Sequence, residues 1–211
     1  MPQIQRLAPA LVCALALLAS CAEVAPPVLS PAWPDKSAPY DHVHRTWTRH
    51  GRVQNNFQRV IDVYATFKSP AWRAAYVERK ARKSRLTASD VQTLRAAQRE
   101  AAAGDYEVHL LVSTWDFREN NLHNGPKSPW QITLEDDRGN QVSPSYIRRD
   151  RRPRWVLRAE YPDMGDFTTA YVARFPRTID VLREDASHFT LRIAGPRGAA
   201  VMTWKNGKSG T

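Results

Sequence analysis

The sequence predicts a mainly β fold, an antiparallel β-sandwich of about eight strands with a two-helix insertion after the first strand. Three observations lead there. Short apolar runs alternate with polar residues from Phe57 onward, the period of strands with one buried face. An alanine-rich stretch within residues 70–103 breaks that period and carries helix-capping residues. After Gly104 the alternating runs are short and separated by turn residues, as in sheets packed face to face.

Phe57, Ile61, Val63, Ala65 and Phe67 alternate with Asp62, Tyr64 and Thr66, giving the first strand. Ser69-Pro70 ends it, because serine caps helices and proline fits a first helical turn. A helix over 70–83 then puts Trp72, Tyr76 and Arg79 on one stripe. Thr87 and Asp90 form a capping pattern with Leu86 as staple, Val91, Leu94 and Ala97 recur at helical spacing, and Gly104 stops the second helix. Strands follow at Tyr106–Val112, Trp130–Leu134, Val142–Ile147, Trp155–Tyr161 and Phe167–Phe175, the last two joined as a hairpin by Pro162-Asp163-Met164-Gly165. Phe189, Leu191 and Ile193 pair with Val201 and Thr203 across Gly195-Pro196-Arg197-Gly198. His109 and His188 fall on the polar side of their strands, where exposure is expected. Residues 41–56, rich in His and Arg with Trp47 their one large apolar side chain, read as a loop or sheet edge.

The amino terminus has another character. Arg6 precedes an apolar run from Leu7 to Leu18, the layout of an export signal over residues 1–20. A bilayer span needs about twenty apolar residues, so this run is too short to cross. Pro26, Pro27, Pro31, Pro34 and Pro39 give residues 21–40 the composition of a stiff extended tether, leaving 41–211 as one domain. Leu18-Ala19-Ser20-Cys21 resembles the lipobox of bacterial lipoproteins. The resemblance covers the first 21 residues and implies cleavage before Cys21, a diacylglyceryl thioether on its sulfur and an acylated new amino terminus. Ala22, where aspartate would signal inner-membrane retention, implies the outer membrane. The rest of the chain resembles immunoglobulin-like domains of uncharacterised bacterial lipoproteins but lacks the Cys–Trp–Cys pattern of true immunoglobulin domains, so this likeness speaks to fold alone.

Lysines and arginines number 31 against 21 carboxylates, a net charge of +10. Such an excess attracts anionic partners; for an exported chain these are anionic lipid or another envelope component, and not nucleic acid. The charge gathers twice. Arg79, Lys80, Arg82 and Lys83 lie on the first helix, and Arg148, Arg149, Arg151 and Arg152 at a strand junction. Both are candidates for contact with an anionic surface, the alternative being two solvated edges. The long connection from Trp115 to Trp130 is the candidate recognition loop, with Asn120, Asn121 and His123 between the two tryptophans, against a plain solvated loop.

No GxSxG or SxxK motif occurs, and both cysteines fall within the first 21 residues, so no catalytic residue is assigned. His42, His44 and His50 sit in an arginine-rich segment without HExxH or paired cysteines, so neither metal nor cofactor is expected. The resulting reading is a non-enzymatic, lipid-anchored envelope protein displaying a binding or scaffolding surface. A small-molecule or glycan-binding accessory lipoprotein and a hydrolase with an unrecognised site remain alternatives. A deep pocket lined by tryptophan and polar groups favours ligand binding, convergent carboxylates or histidines favour the enzyme, and a convex face with one basic side favours the first reading.

Overall fold

In the computed structural model the structure describes residues 24–55 and 57–208; the expected signal and Cys21 lie outside them. Alternating and capped segments build, in order, α1 (Tyr40–Trp47), β1 (Thr48–Asn55), β2 (Gln58–Phe67), α2 (Pro70–Ser84), α3 (Ala88–Ala103), β3 (Tyr106–Thr114), β4 (Gln131–Asp136), β5 (Gln141–Val142), β6 (Tyr146–Arg149), α4 (Arg154–Glu160), β7 (Thr169–Phe175), β8 (His188–Gly195) and β9 (Gly198–Lys205). A five-stranded sheet runs β1-β2-β3-β7-β6 and a four-stranded one β5-β4-β8-β9, with every pairing antiparallel. The mainly β class holds, with nine strands among the described residues. None of the described helices is long and apolar enough to cross a membrane.

The two sheets share one apolar core. The Phe67 ring of β2 lies 4.8 Å from Phe189 of β8 and 6.2 Å from Trp204 of β9. Trp204 also donates its indole N–H to the Trp47 carbonyl at 3.0 Å, tying α1 to β9. Gly51 lets β1 come close to β9, since a Cβ there would stand 2.9 Å from the Met202 side chain. Two connections formed as their residues dictate. Ser69 accepts the Trp72 N–H at 3.1 Å to start α2, and Thr87 accepts the Asp90 N–H at 3.2 Å to start α3. Ser69→Ala should lower the unfolding free energy by about 1 kcal/mol, read from the urea midpoint of the full chain.

Several expectations need correction. The stretch expected as a loop or sheet edge does supply the edge strand β1, but its first part is the helix α1, because Tyr40, Val43, His44 and Trp47 make a buried helical stripe. The helical hairpin therefore follows the second strand, not the first. Residues 154–160 are a helix and not a strand: Leu157, Glu160 and Tyr161 are buried at helical spacing while Trp155 is exposed, and Pro153 precedes the first turn. The hairpin expected between 155–161 and 167–175 is thus absent, and β7 pairs with β3 and β6 instead.

The single strand expected over 142–147 is two, in different sheets, since Ser143-Pro144-Ser145 interrupts it and proline has no N–H for a ladder. The expected tether is partly docked. Pro27 and Leu29 are buried, Gly207 N–H donates to the Pro27 carbonyl at 2.8 Å, and Leu29 N–H donates to Asn206 Oδ1 at 3.2 Å.

Candidate functional site

β3 is the middle strand of the larger sheet, and all residues from Tyr106 to Val112 are buried. One side of it faces the shared core; the other lies beneath residues of α2 and α4. That second side carries Glu107 and His109, so the expectation of an exposed His109 is wrong: it is 0 % exposed.

Glu107 is held by three cations. Lys68 Nζ lies 2.6 Å from it, Arg174 Nε 3.3 Å and Arg73 Nη2 3.7 Å. Burial alone would raise its pKa, but these cations outweigh burial and hold it to about 2. His109 stacks flat on Tyr161, with ring centroids 3.7 Å apart, and its Nε2 sits 3.3 Å from Asp150. Burial pushes His109 down to about 4 against the pull of Asp150, so at neutral pH the ring is uncharged.

Arg152 closes the network. Its Nη2 lies 2.7 Å from Asp150 and its Nη1 2.6 Å from Glu160, whose other oxygen accepts from Tyr76 Oη at 3.4 Å. Burial would raise the Asp150 pKa, yet His109 and Arg152 hold it far below the ordinary carboxylate range. Two polar atoms are left over in this floor. His109 Nδ1 and Tyr161 Oη are buried and have no hydrogen-bond partner among the described residues. Such orphans call for an explanation, a bound polar group being one.

Above this floor opens a cleft of about 870 Å³, lined by seven basic side chains and three carboxylates. All three carboxylates are spent internally, on Lys68, Arg73, Arg152 and Arg174. Arg148, Arg149 and Arg151 line it as exposed residues, and none makes an ion pair among the described residues; Arg149 reaches the neutral Asn120 carbonyl, at 3.4 Å, beside the Tyr171 hydroxyl. His123 joins them, its pKa lowered by partial burial and by Arg149 and Arg151. The arrangement offers positive charge without a free carboxylate to serve as a base. Positive charge of this kind is chemically suited to an anion.

The structure therefore unites His123 of the expected recognition loop with Arg148, Arg149, Arg151 and Arg152 of the second basic cluster. Other loop residues are structural. Asn120 donates to the Val112 carbonyl at 2.8 Å and accepts from Tyr171 Oη at 2.8 Å. Asn121 donates to the Arg118 carbonyl and accepts from Ser128, both at 3.0 Å. Trp130 is buried against Gly195 and donates to the Glu119 carbonyl at 3.0 Å. Trp115 is exposed beyond the end of β3, outside the cleft.

Of the first basic cluster, Arg79, Lys80 and Lys83 line a separate groove between α2 and α4, and Arg82 lines neither opening. His44 accepts from the Trp72 indole at 3.4 Å while His50 pairs with Asp62; among the described residues no three metal-ligating side chains gather.

The sequence does not single out Lys68, Glu107, His109, Asp150, Glu160, Tyr161 and Arg174, and it shows Arg73 only as one of the basic residues of the first helix. Glu107 and His109 looked like the wet side of a strand, and nothing local announces that helices cover it. Compared with known proteins, the chain matches no protein-family model, no curated protein and no solved structure. Its class rests on fold and site together: a mainly β protein of two antiparallel sheets, whose larger sheet carries a cationic cleft.

Proposed function

We propose that this protein is a non-enzymatic, lipid-anchored envelope protein that holds an anionic ligand in the cleft above β3. One observation carries the binding half of the reading: Arg148, Arg149 and Arg151 all line the cleft, and none of them makes an ion pair among the described residues. The paired state of Glu107, Asp150 and Glu160 argues against acid–base work there, since a general base needs a free lone pair within reach of substrate. Support for the anchoring half is the lipobox-like Leu18-Ala19-Ser20-Cys21 and the absence of aspartate after the cysteine, which together favour the outer membrane. The partner that this charge favours is then an anionic lipid or another anionic envelope component, not nucleic acid. We read the two sheets as halves of a β-sandwich; the meander β1-β2-β3 lends no support to a closer immunoglobulin-like kinship.

Two experiments test the halves separately. Cys21→Ser should release the chain from the envelope fraction and abolish the mass change of acylation; unchanged fractionation and mass would remove the anchor. Inorganic phosphate, titrated calorimetrically into the full chain, should bind in a salt-sensitive way. The double variant Arg149→Ala/Arg151→Ala should weaken it about tenfold or more, each lost charged hydrogen bond contributing about 1.5–3 kcal/mol when fully formed. Equal affinity in parent and variant would place the anion elsewhere.

A further inference from the structure

We propose that the ligand is an anionic amphiphile: a phosphate-type head among Arg148, Arg149 and Arg151, and an apolar arm that crosses Tyr76 into the groove beside Trp155. This deepens the reading of the cleft as an anion site and rests on it. The groove, of about 270 Å³, lies between α2 and α4 and is walled by Tyr76, Trp155, Val156 and Ala159, with Lys80 and Lys83 at its rim. Trp155 is 75 % exposed, two residues before the buried Leu157 and so on the opposite side of its helix. A large aromatic side chain left in water beside apolar wall is surface that an apolar group would cover favourably.

Cleft and groove are neighbours: Tyr76 and Glu160 line both. The carboxylate at that junction does not oppose an anion, because Arg152 at 2.6 Å and the Tyr76 hydroxyl already occupy it. Two basic clusters seventy residues apart in sequence thus bracket one apolar ridge. A purely polar anion would use the cleft and leave the groove empty; a molecule with both parts uses each.

The test is a calorimetric titration of the full chain with three soluble probes: methyl phosphate, which has the head alone, hexyl phosphate, which has both parts, and hexanol, which has the arm alone. Hexyl phosphate should bind about tenfold or more tighter than methyl phosphate, as several newly covered methylenes require. This includes the case in which methyl phosphate is too weak to register. Trp155→Ala, at an exposed position that the fold does not need, should erase the preference and leave methyl phosphate unchanged. Arg149→Ala/Arg151→Ala should weaken both phosphates. Equal affinity for the two phosphates, a preference that survives Trp155→Ala, or hexanol binding as well as hexyl phosphate overturns the arm while the anion cleft stands. If neither phosphate binds, the cleft reading falls and the amphiphile with it.

Discussion

Glu107→Ala will lower the unfolding free energy by about 3–5 kcal/mol, the range for breaking a buried ion pair from one side. Glu107 is the one carboxylate, among the described residues, that pairs with Lys68, Arg73 or Arg174. Arg73 is 3 % exposed and also gives its guanidinium to the Lys68 carbonyl and to Gln98, so it cannot swing into water when its partner goes. Three cations would then face one another across the middle of the sheet.

The loss is one of compensation more than of attraction. Desolvating the ions costs nearly what their pairing returns, so a variant removing both signs should recover stability. Glu107→Gln/Arg73→Met should therefore be more stable than Glu107→Ala, with Glu107→Gln alone in between. Urea unfolding of the full chain gives the comparison. A Glu107→Ala loss below about 1 kcal/mol would mean that water reaches these groups and that the floor of the cleft is not a closed network.

The parts of this molecule that were legible are those fixed by neighbours in sequence. Ser69 and Thr87 announce α2 and α3 because a cap acts on the N–H two or three residues ahead, and both bonds formed. Gly195 and Gly198 mark the β8–β9 turn for the same reason, and the two residues pair in the ladder. Residues 154–161 were misread because Trp155, Leu157, Ala159 and Tyr161 satisfy period two as well as their positions satisfy a helix. What decided it was burial of Leu157 and Tyr161 against distant elements, with Tyr161 on His109 of β3. α1 was hidden by composition: its stripe of Tyr40, Val43, His44 and Trp47 includes a histidine whose ring nitrogens find partners when buried, Trp72 of α2 on one and Asp163 and Thr48 on the other.

The site shows the same division. That residues 148–152 are basic is plain in the sequence; which of them are free is not. Arg152 is neutralised by Asp150, two residues away, and by Glu160 across α4, while Arg148, Arg149 and Arg151 have no such partner among the described residues. Pairing depends on where chain reversals carry the carboxylates, and charge runs alone do not encode that. His123 was singled out for its loop and belongs to the cleft by virtue of β6 lying alongside that loop's 3₁₀ turn.

His109 gives the second large effect, a loss of stability on mild acidification. In the folded chain its pKa is about 4, lowered from 6.5 by burial and only partly restored by Asp150, with Lys68 and Arg152 adding positive charge nearby. The unfolded chain takes up a proton near the ordinary histidine value, so between pH 6.5 and about 4 it binds more protons than the folded one. The folded state is therefore fully favoured above pH 6.5 and loses roughly 1–3 kcal/mol as pH falls through that window. Glu107 acts lower down: its pKa of about 2 makes its own contribution disappear between the ordinary carboxylate range and that value. His123, also lowered, shares the upper window, but it is exposed and contributes the smaller part. Urea unfolding of the full chain at pH 7.5, 6.5, 5.5 and 4.5 should show a decline that His109→Gln largely removes above pH 5 and that His123→Gln barely changes. Glutamine keeps a donor for Asp150 and has no proton to gain. Parallel declines in the parent and His109→Gln would show that the imidazole takes up its proton in the folded chain as readily as in the unfolded one, and the dry stack of His109 on Tyr161 would have to be abandoned.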